Sequence, residues 1–321
     1  MKPDRRRFTQ LAGAAGLAAL TPLAGAWAQT ADPTPAPGAE PADAQPADDG
    51  PSQVAMARDR SLRMLAPVMI NGQGPYQFLV DTGANRSCIR KDLAETLALP
   101  PGPMAAVSTI AGRSLRPTVV IDELFVGRRS QRRVKVPLLR MTADDPADGV
   151  LGVDWLKNRR LLLDFEAKVL EIAAPRRDTS GDKRVVVPAR RRSGQLTLID
   201  ADSSGRRISA LIDSGSELTI GNAPMRKLVE ESSNGLLLPP TTITMVTVVG
   251  ETFHGEMLNV PFMRLGGLTL GNVPVVFAKS HVFRLWGLQN KPTVVLGMDL
   301  LSEFTSVALD FGRSTVRFDI A

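Results

Sequence analysis

The stretch FLVDTGANRSCI, residues 78–89, runs three apolar residues, Phe78, Leu79 and Val80, straight into an ionisable Asp81. A hydroxyl and a glycine follow, and then the apolar run resumes. Taken alone, it reads as a strand ending in a turn, because Asp and Gly favour hairpin positions. The chain contains a second copy: ALIDSGSELTI, residues 210–220, lays Leu211-Ile212-Asp213-Ser214-Gly215 over Leu79-Val80-Asp81-Thr82-Gly83. Two further pairs follow in the same order, GVLGVDWL (149–156) with VVLGMDLL (294–301), and LLLDFEAKVLEI (161–172) with VALDFGRSTVRF (307–318). Three matched blocks in one order make an internal duplication. A chance turn does not bring two later blocks with it.

Working outward, the N-terminal residues 1–28 open with RRRF, continue through an Ala- and Leu-rich stretch and end in AWA, with small residues at Ala26 and Ala28. This is the pattern of a secretory signal rather than of a membrane span. Arg5-Arg6 followed by Phe8 looks like a twin-arginine signal, which implies export of a folded protein to the periplasm or beyond. An ordinary signal with extra arginines is the alternative, since Thr9-Gln10 is not the usual continuation. Residues 29–58 are almost entirely Ala, Pro, Asp, Gln and Gly, too poor in apolar area to order themselves, and read as a disordered tether.

The chain carries 39 basic and 33 acidic side chains, a net charge of +6. Removing residues 1–28 takes away four basic groups and one acid, leaving +3, and setting aside the five tether acids leaves +8 on the folded part. Nucleic-acid binding would require that charge to cluster beside stacking aromatics. GRRSQRRVK (127–135) contains no aromatic residue and RRR (190–192) opens a strand-like run, so both read as solvated hairpin tips or linkers. With Cys88 the only cysteine, no internal disulfide is possible. Its apolar neighbour Ile89 marks it as a small core residue.

Between residues 60 and 321, apolar runs rich in Val, Ile, Leu and Thr recur every eight to twelve residues between Gly, Pro, Asn and Asp, the spacing of an all-β protein. Helical periodicity is brief, at 90–99 and 223–231, each soon after an Asp motif. PRRDTSGDKR (175–184) has the polar character of an interdomain connection, which divides the folded region into lobes of 60–176 and 185–321.

Two Asp-Thr/Ser-Gly motifs, each after an apolar strand and each followed by an apolar-apolar-Gly block, resemble the aspartic proteases, particularly the retropepsin-like branch. The resemblance covers nearly all of residues 60–321. It implies a bilobal β fold with a pseudo-two-fold axis and one motif loop from each lobe meeting there, so that Asp81 and Asp213 form a catalytic pair within a single chain acting as a monomer. It implies that Thr82 and Ser214 bond across the axis, that Gly83 and Gly215 allow close approach, and that Gly152 and Gly297 lie against the motif loops. Ala84 after the first motif is the retropepsin-like form. No metal or other cofactor is implied.

Asp154, Asp164, Asp299 and Asp310 also recur, but they sit beside turns without a following Thr/Ser-Gly and read as structural. VSTIAGRSLRPTVV (107–120) and TMVTVVGETFHGEML (244–258) read as hairpins around Gly112 and Gly250, one cover for each lobe over a substrate cleft. Pepsin-like enzymes carry a Tyr in a single flap, whereas the only tyrosine here, Tyr76, precedes the first motif. His254 and His281 are isolated, and no G-x-S-x-G motif is present for them to serve. The functional expectation is an exported aspartic endopeptidase acting on peptide or protein substrates in the cell envelope, with no stable membrane span after signal cleavage and no nucleic-acid partner. The alternative is a non-catalytic peptide- or protein-binding module on the same bilobal fold.

Overall fold

The computed structural model describes residues 51–321 apart from 56, 59–62, 109–112, 193, 199, 234, 236 and 248. The expected signal peptide, residues 29–50 of the expected tether and Gly112 lie outside the described residues.

The protein is an all-β, bilobal structure whose two halves are joined by a shared antiparallel sheet. Strands run across it in the order Ser52–Ala55, Val169–Ala173, Arg160–Asp164, Ser306–Asp310, Thr315–Asp319 and Arg184–Arg192. The central pairing sets Leu162 opposite Ala308 and Leu161 opposite Leu309. Because 162 and 308 are equivalent positions of the duplicated LLLDF/VALDF block, an antiparallel register centred on them is itself a two-fold relation between the halves. Period-2 alternation buries Leu161, Leu163, Leu170, Val307, Leu309, Val316 and Phe318, each contributing about 1.5–3 kcal/mol by leaving water.

Above this sheet each lobe repeats one arrangement. Gln73–Val80 pairs in parallel with Gly149–Leu151, and Ser209–Ile212 in parallel with Thr293–Leu296. The last three residues of each motif strand, Phe78-Leu79-Val80 and Ala210-Leu211-Ile212, are buried, so the aspartates that follow are placed at the ends of fixed core strands. Helices Lys91–Thr96 and Ala223–Ser232 fall where the helical periodicity occurs. His281–Leu285 and Met298–Leu301 are added helices, too short to register as a periodic pattern. Among the described residues no helix is long and apolar enough to cross a membrane.

The tether requires a correction. Ser52–Ala55, expected within the disordered 29–58 segment, is the edge strand of the shared sheet, paired with Val169–Ala173. Val54 is buried in the main core, and Ser52 Oγ donates to the Val126 carbonyl at 2.9 Å and accepts from Arg128 N–H at 2.8 Å. Main-chain pairing, the Ser52 bonds and a single buried side chain hold this strand, too little apolar content for hydropathy to reveal it. The connection after Ala173 is also tied down: Asp178 bridges the buried Arg160 and Arg317, each at 3.2 Å.

Candidate active site

The two motif loops meet at the two-fold axis. Asp81 N–H donates to the Leu151 carbonyl and Asp213 N–H to the Leu296 carbonyl, both at 3.0 Å, so each loop leaves its strand in the same way. The loops then exchange bonds through their hydroxyl residues. Thr82 Oγ1 donates to the Ile212 carbonyl at 2.9 Å and accepts from Ser214 N–H at 3.1 Å. Ser214 Oγ donates to the Val80 carbonyl at 2.7 Å and accepts from Thr82 N–H at 3.2 Å. Every partner lies across the axis, and Thr82 and Ser214 are both buried. Unmaking any of these bonds strands a polar group without water.

This clasp brings the two carboxyl groups into hydrogen-bonding contact with each other. Glycine is required beside them: a Cβ on Gly83 would overlap the Asp213 carboxyl group, and one on Gly215 would overlap that of Asp81. Behind the loops, a Cβ on Gly152 would reach 2.7 Å from the Arg86 backbone, and one on Gly297 2.5 Å from that of Leu218. Asp154 and Asp299 brace the same segments, binding the hydroxyls of Ser87 and Thr219 at 2.7 Å. Asp164 and Asp310 accept turn N–H groups from Ala167 and Arg313, also at 2.7 Å.

The pair is electrostatically unequal. Asp81 Oδ1 accepts from Gly83 N–H at 2.8 Å and Ala84 N–H at 2.9 Å, whereas Asp213 Oδ1 accepts from Gly215 N–H at 2.9 Å. Burial raises the Asp81 carboxyl above its ordinary range, opposed by the bond from Asp213, by these two N–H groups and by the charge of Arg63. Burial raises Asp213 much further, aided by the negative charge of Asp81. Two such carboxyls hold one proton between them and titrate as a unit.

A family model described as aspartyl protease matches residues 66–155 and 199–300, one segment around each motif. The chain belongs to the aspartyl protease family. Its structure is similar to that of an aspartic proteinase from Irpex lacteus, at 13% identity and a TM-score of 0.54 over 85% of this chain and 98% of that one, a likeness of fold. Conglutin gamma, a basic 7S globulin from lupine seeds, is 9% identical with a TM-score of 0.49, over 85% of this chain and 95% of that one. A comparison with curated proteins found no match.

Each lobe carries a hairpin at the place where a cover is expected. The first pairs Pro101–Ser108 with Arg113–Val126 and leaves Met104 and Leu115 exposed; its expected tip residue Gly112 is outside the described residues. The second pairs Thr241–Val246 with Thr252–Leu265 and turns at Gly250, where φ is +79°. His254 lies exposed on it, 3.0 Å from Thr244 Oγ1, and His281 opens a short helix. Cys88 is buried, and that burial pushes its thiol up to about 12, leaving it a poor nucleophile.

Sequence reasoning did not find Gln195. Fully buried, it donates from Nε2 to the Gly83 carbonyl at 3.0 Å and to Asn85 Oδ1, fastening the first motif loop to the second lobe. Strand register makes Gln195 the equivalent of Arg63, since Leu65 faces Leu79 and Thr197 faces Leu211. Extending the repeat alignment upstream of the motifs would have exposed this pair of polar residues at the heads of apolar strands.

Proposed function

We propose that this chain is an exported aspartic endopeptidase that hydrolyses peptide bonds with a water activated between Asp81 and Asp213. The observation that carries this reading is the meeting of the two buried carboxyls, each against the glycine of the opposite loop, at the centre of the Thr82–Ser214 clasp. Two carboxyls sharing one proton are the known working arrangement of aspartic proteases. Asp81, ionised, takes a proton from water as its oxygen attacks the scissile carbonyl carbon. Asp213, protonated, donates to the carbonyl oxygen. The resulting tetrahedral diol collapses when Asp81 passes its proton to the amide nitrogen and one diol hydroxyl returns a proton to Asp213. The C–N bond breaks, a carboxyl and an amine leave, and the pair again holds one proton.

Both motifs reside in one chain, which supports action as a monomer. Arg5-Arg6 and the stretch to Ala28 support action in the periplasm or outside the cell, on peptide or protein substrates of the envelope; replacing both arginines with Lys would then leave folded precursor in the cytoplasm. The activity is tested by incubating the mature chain with a diverse peptide mixture across pH and mapping the cuts by mass spectrometry. Cuts that disappear with a mimic carrying a hydroxyl in place of the scissile carbonyl support the reading. A mature, folded chain that leaves the mixture uncut at every pH contradicts it.

A further inference from the structure

The two lobes present equivalent apolar faces beside the aspartates, and they cover them differently. Leu79, Cys88 and Val150 form one face, and their repeat equivalents Leu211, Ile220 and Val295 form the other. In the second lobe the face is closed by that lobe's own side chains: Phe283, Trp286 and Leu288 pack on it, joined by Met245 and Phe253 from the second hairpin. Among the described residues the first lobe has no such aromatic cover. Its cluster is completed by Leu65, Leu139 and Ala147, with Ala84 and Met141 at its margin and, from the opposite lobe, Val249 at the tip of the second hairpin.

That tip is lightly held. The turn closes on itself, with Gly250 N–H donating to the Thr247 carbonyl and Thr247 N–H to the Glu251 carbonyl, both at 2.9 Å. It meets the first lobe through Val249 and beside Thr142, whose Cγ2 lies 3.1 Å from where a Cβ on Gly250 would be. Glu251 Oε2, at the end of the turn, is buried without a hydrogen-bond partner among the described residues. The receiving wall is firm by contrast: Arg90 donates to the carbonyls of Thr142 and Asp145 at 2.9 and 2.8 Å, and Arg63 to the Asp145 carboxylate at 3.1 Å.

We propose that Val249 holds the place of one aliphatic substrate side chain in the first-lobe cluster and is the specificity-determining residue of the cleft. A substrate enters by displacing Val249 with a branched aliphatic side chain of its own, on one side of the scissile bond only, because the matching face of the second lobe is already filled. This rests on the endopeptidase reading. A protein whose binding-competent state is only partly populated shows a weakened apparent affinity, and loosening the seat restores it.

The test compares the mature wild-type chain with Val249→Ala, using Val246→Ala, an exposed position on the same hairpin, as control. Two readouts are taken: steady-state cleavage of a peptide set carrying Val, Leu, Phe, Ala or Lys on either side of the cut, and the rate of iodoacetamide alkylation of Cys88, which lies inside the cluster. Val249→Ala is expected to lower KM about fivefold with kcat nearly unchanged and to speed alkylation about fivefold, while Val246→Ala does neither. Aliphatic peptides should protect Cys88, and the aliphatic preference should appear on one side alone. Unchanged alkylation and KM in Val249→Ala, or equal aliphatic preference on both sides, would overturn the proposal. Should no peptide be cleaved, the endopeptidase reading fails, and Cys88 alkylation with its peptide protection still decides the role of Val249.

Discussion

Replacing Thr82 with Val keeps the shape of the side chain and removes the hydroxyl, so it tests the cross-axis clasp with little change in packing. The lost Oγ1 served two buried partners, the Ile212 carbonyl at 2.9 Å and the Ser214 N–H at 3.1 Å. Each stranded group costs about 1–3 kcal/mol, and with partial relaxation the expected loss is about 2–4 kcal/mol. For a folded body of this size that corresponds to a fall in Tm of about 4–16 °C. Equilibrium urea unfolding with thermal melts measures it, and Thr82→Ser, which retains the oxygen, serves as the control. Because Thr82 and Ser214 each bind the other's backbone, a double-mutant cycle with Ser214→Ala should return a coupling of about 0.5–3 kcal/mol. A Thr82→Val protein within about 0.5 kcal/mol of wild type, the range of an ordinary surface substitution, would show that the hydroxyl does not hold the loops together.

Three further outcomes are expected. Since burial raises both carboxyls of the pair, the folded state binds protons more tightly than the unfolded chain; this stability is full below about pH 4 and is lost as pH rises through the raised folded pKa values of the pair. Asp213→Asn should therefore flatten that decline and exceed wild type in neutral-pH melts, and a variant with the wild-type pH profile would contradict the assignment. Asp178→Asn should cost about 3–5 kcal/mol in urea unfolding, because it leaves Arg160 and Arg317 buried without their shared carboxylate. A chain beginning at Asp59 should be about 2–4 kcal/mol less stable than one beginning at Gly50, having lost the burial of Val54 and both bonds of Ser52 Oγ; equal melting would mean that the edge strand contributes nothing.

What could be read from the sequence was what the duplication repeats. The motif strands, the paired aspartates, the hydroxyls, the glycines and the two principal helices all occur twice with conserved local spacing, so each copy checks the other. What escaped was whatever breaks the symmetry or depends on distant main chain. Gln195 and Arg63 occupy equivalent positions but differ in charge, so neither repeats the other. Ser52–Ala55 carries one large apolar residue and is held by pairing with a strand more than a hundred residues away. The helix His281–Leu285, which brings Phe283 and Trp286 over the second-lobe face, has no counterpart among the described residues of the first. The seat of Val249 joins one lobe's hairpin to the other lobe's core, a contact that no local pattern encodes.

The central claim is that Asp81 and Asp213 act as one unit. It is tested most directly by single-turnover cleavage of one peptide substrate by Asp81→Asn, Asp213→Asn and the double variant, each first shown to be folded by its thermal transition. The account predicts that each single variant loses cleavage and that the double variant is little worse, because residues sharing one proton do not contribute additively. A folded single variant retaining near-normal turnover would contradict it.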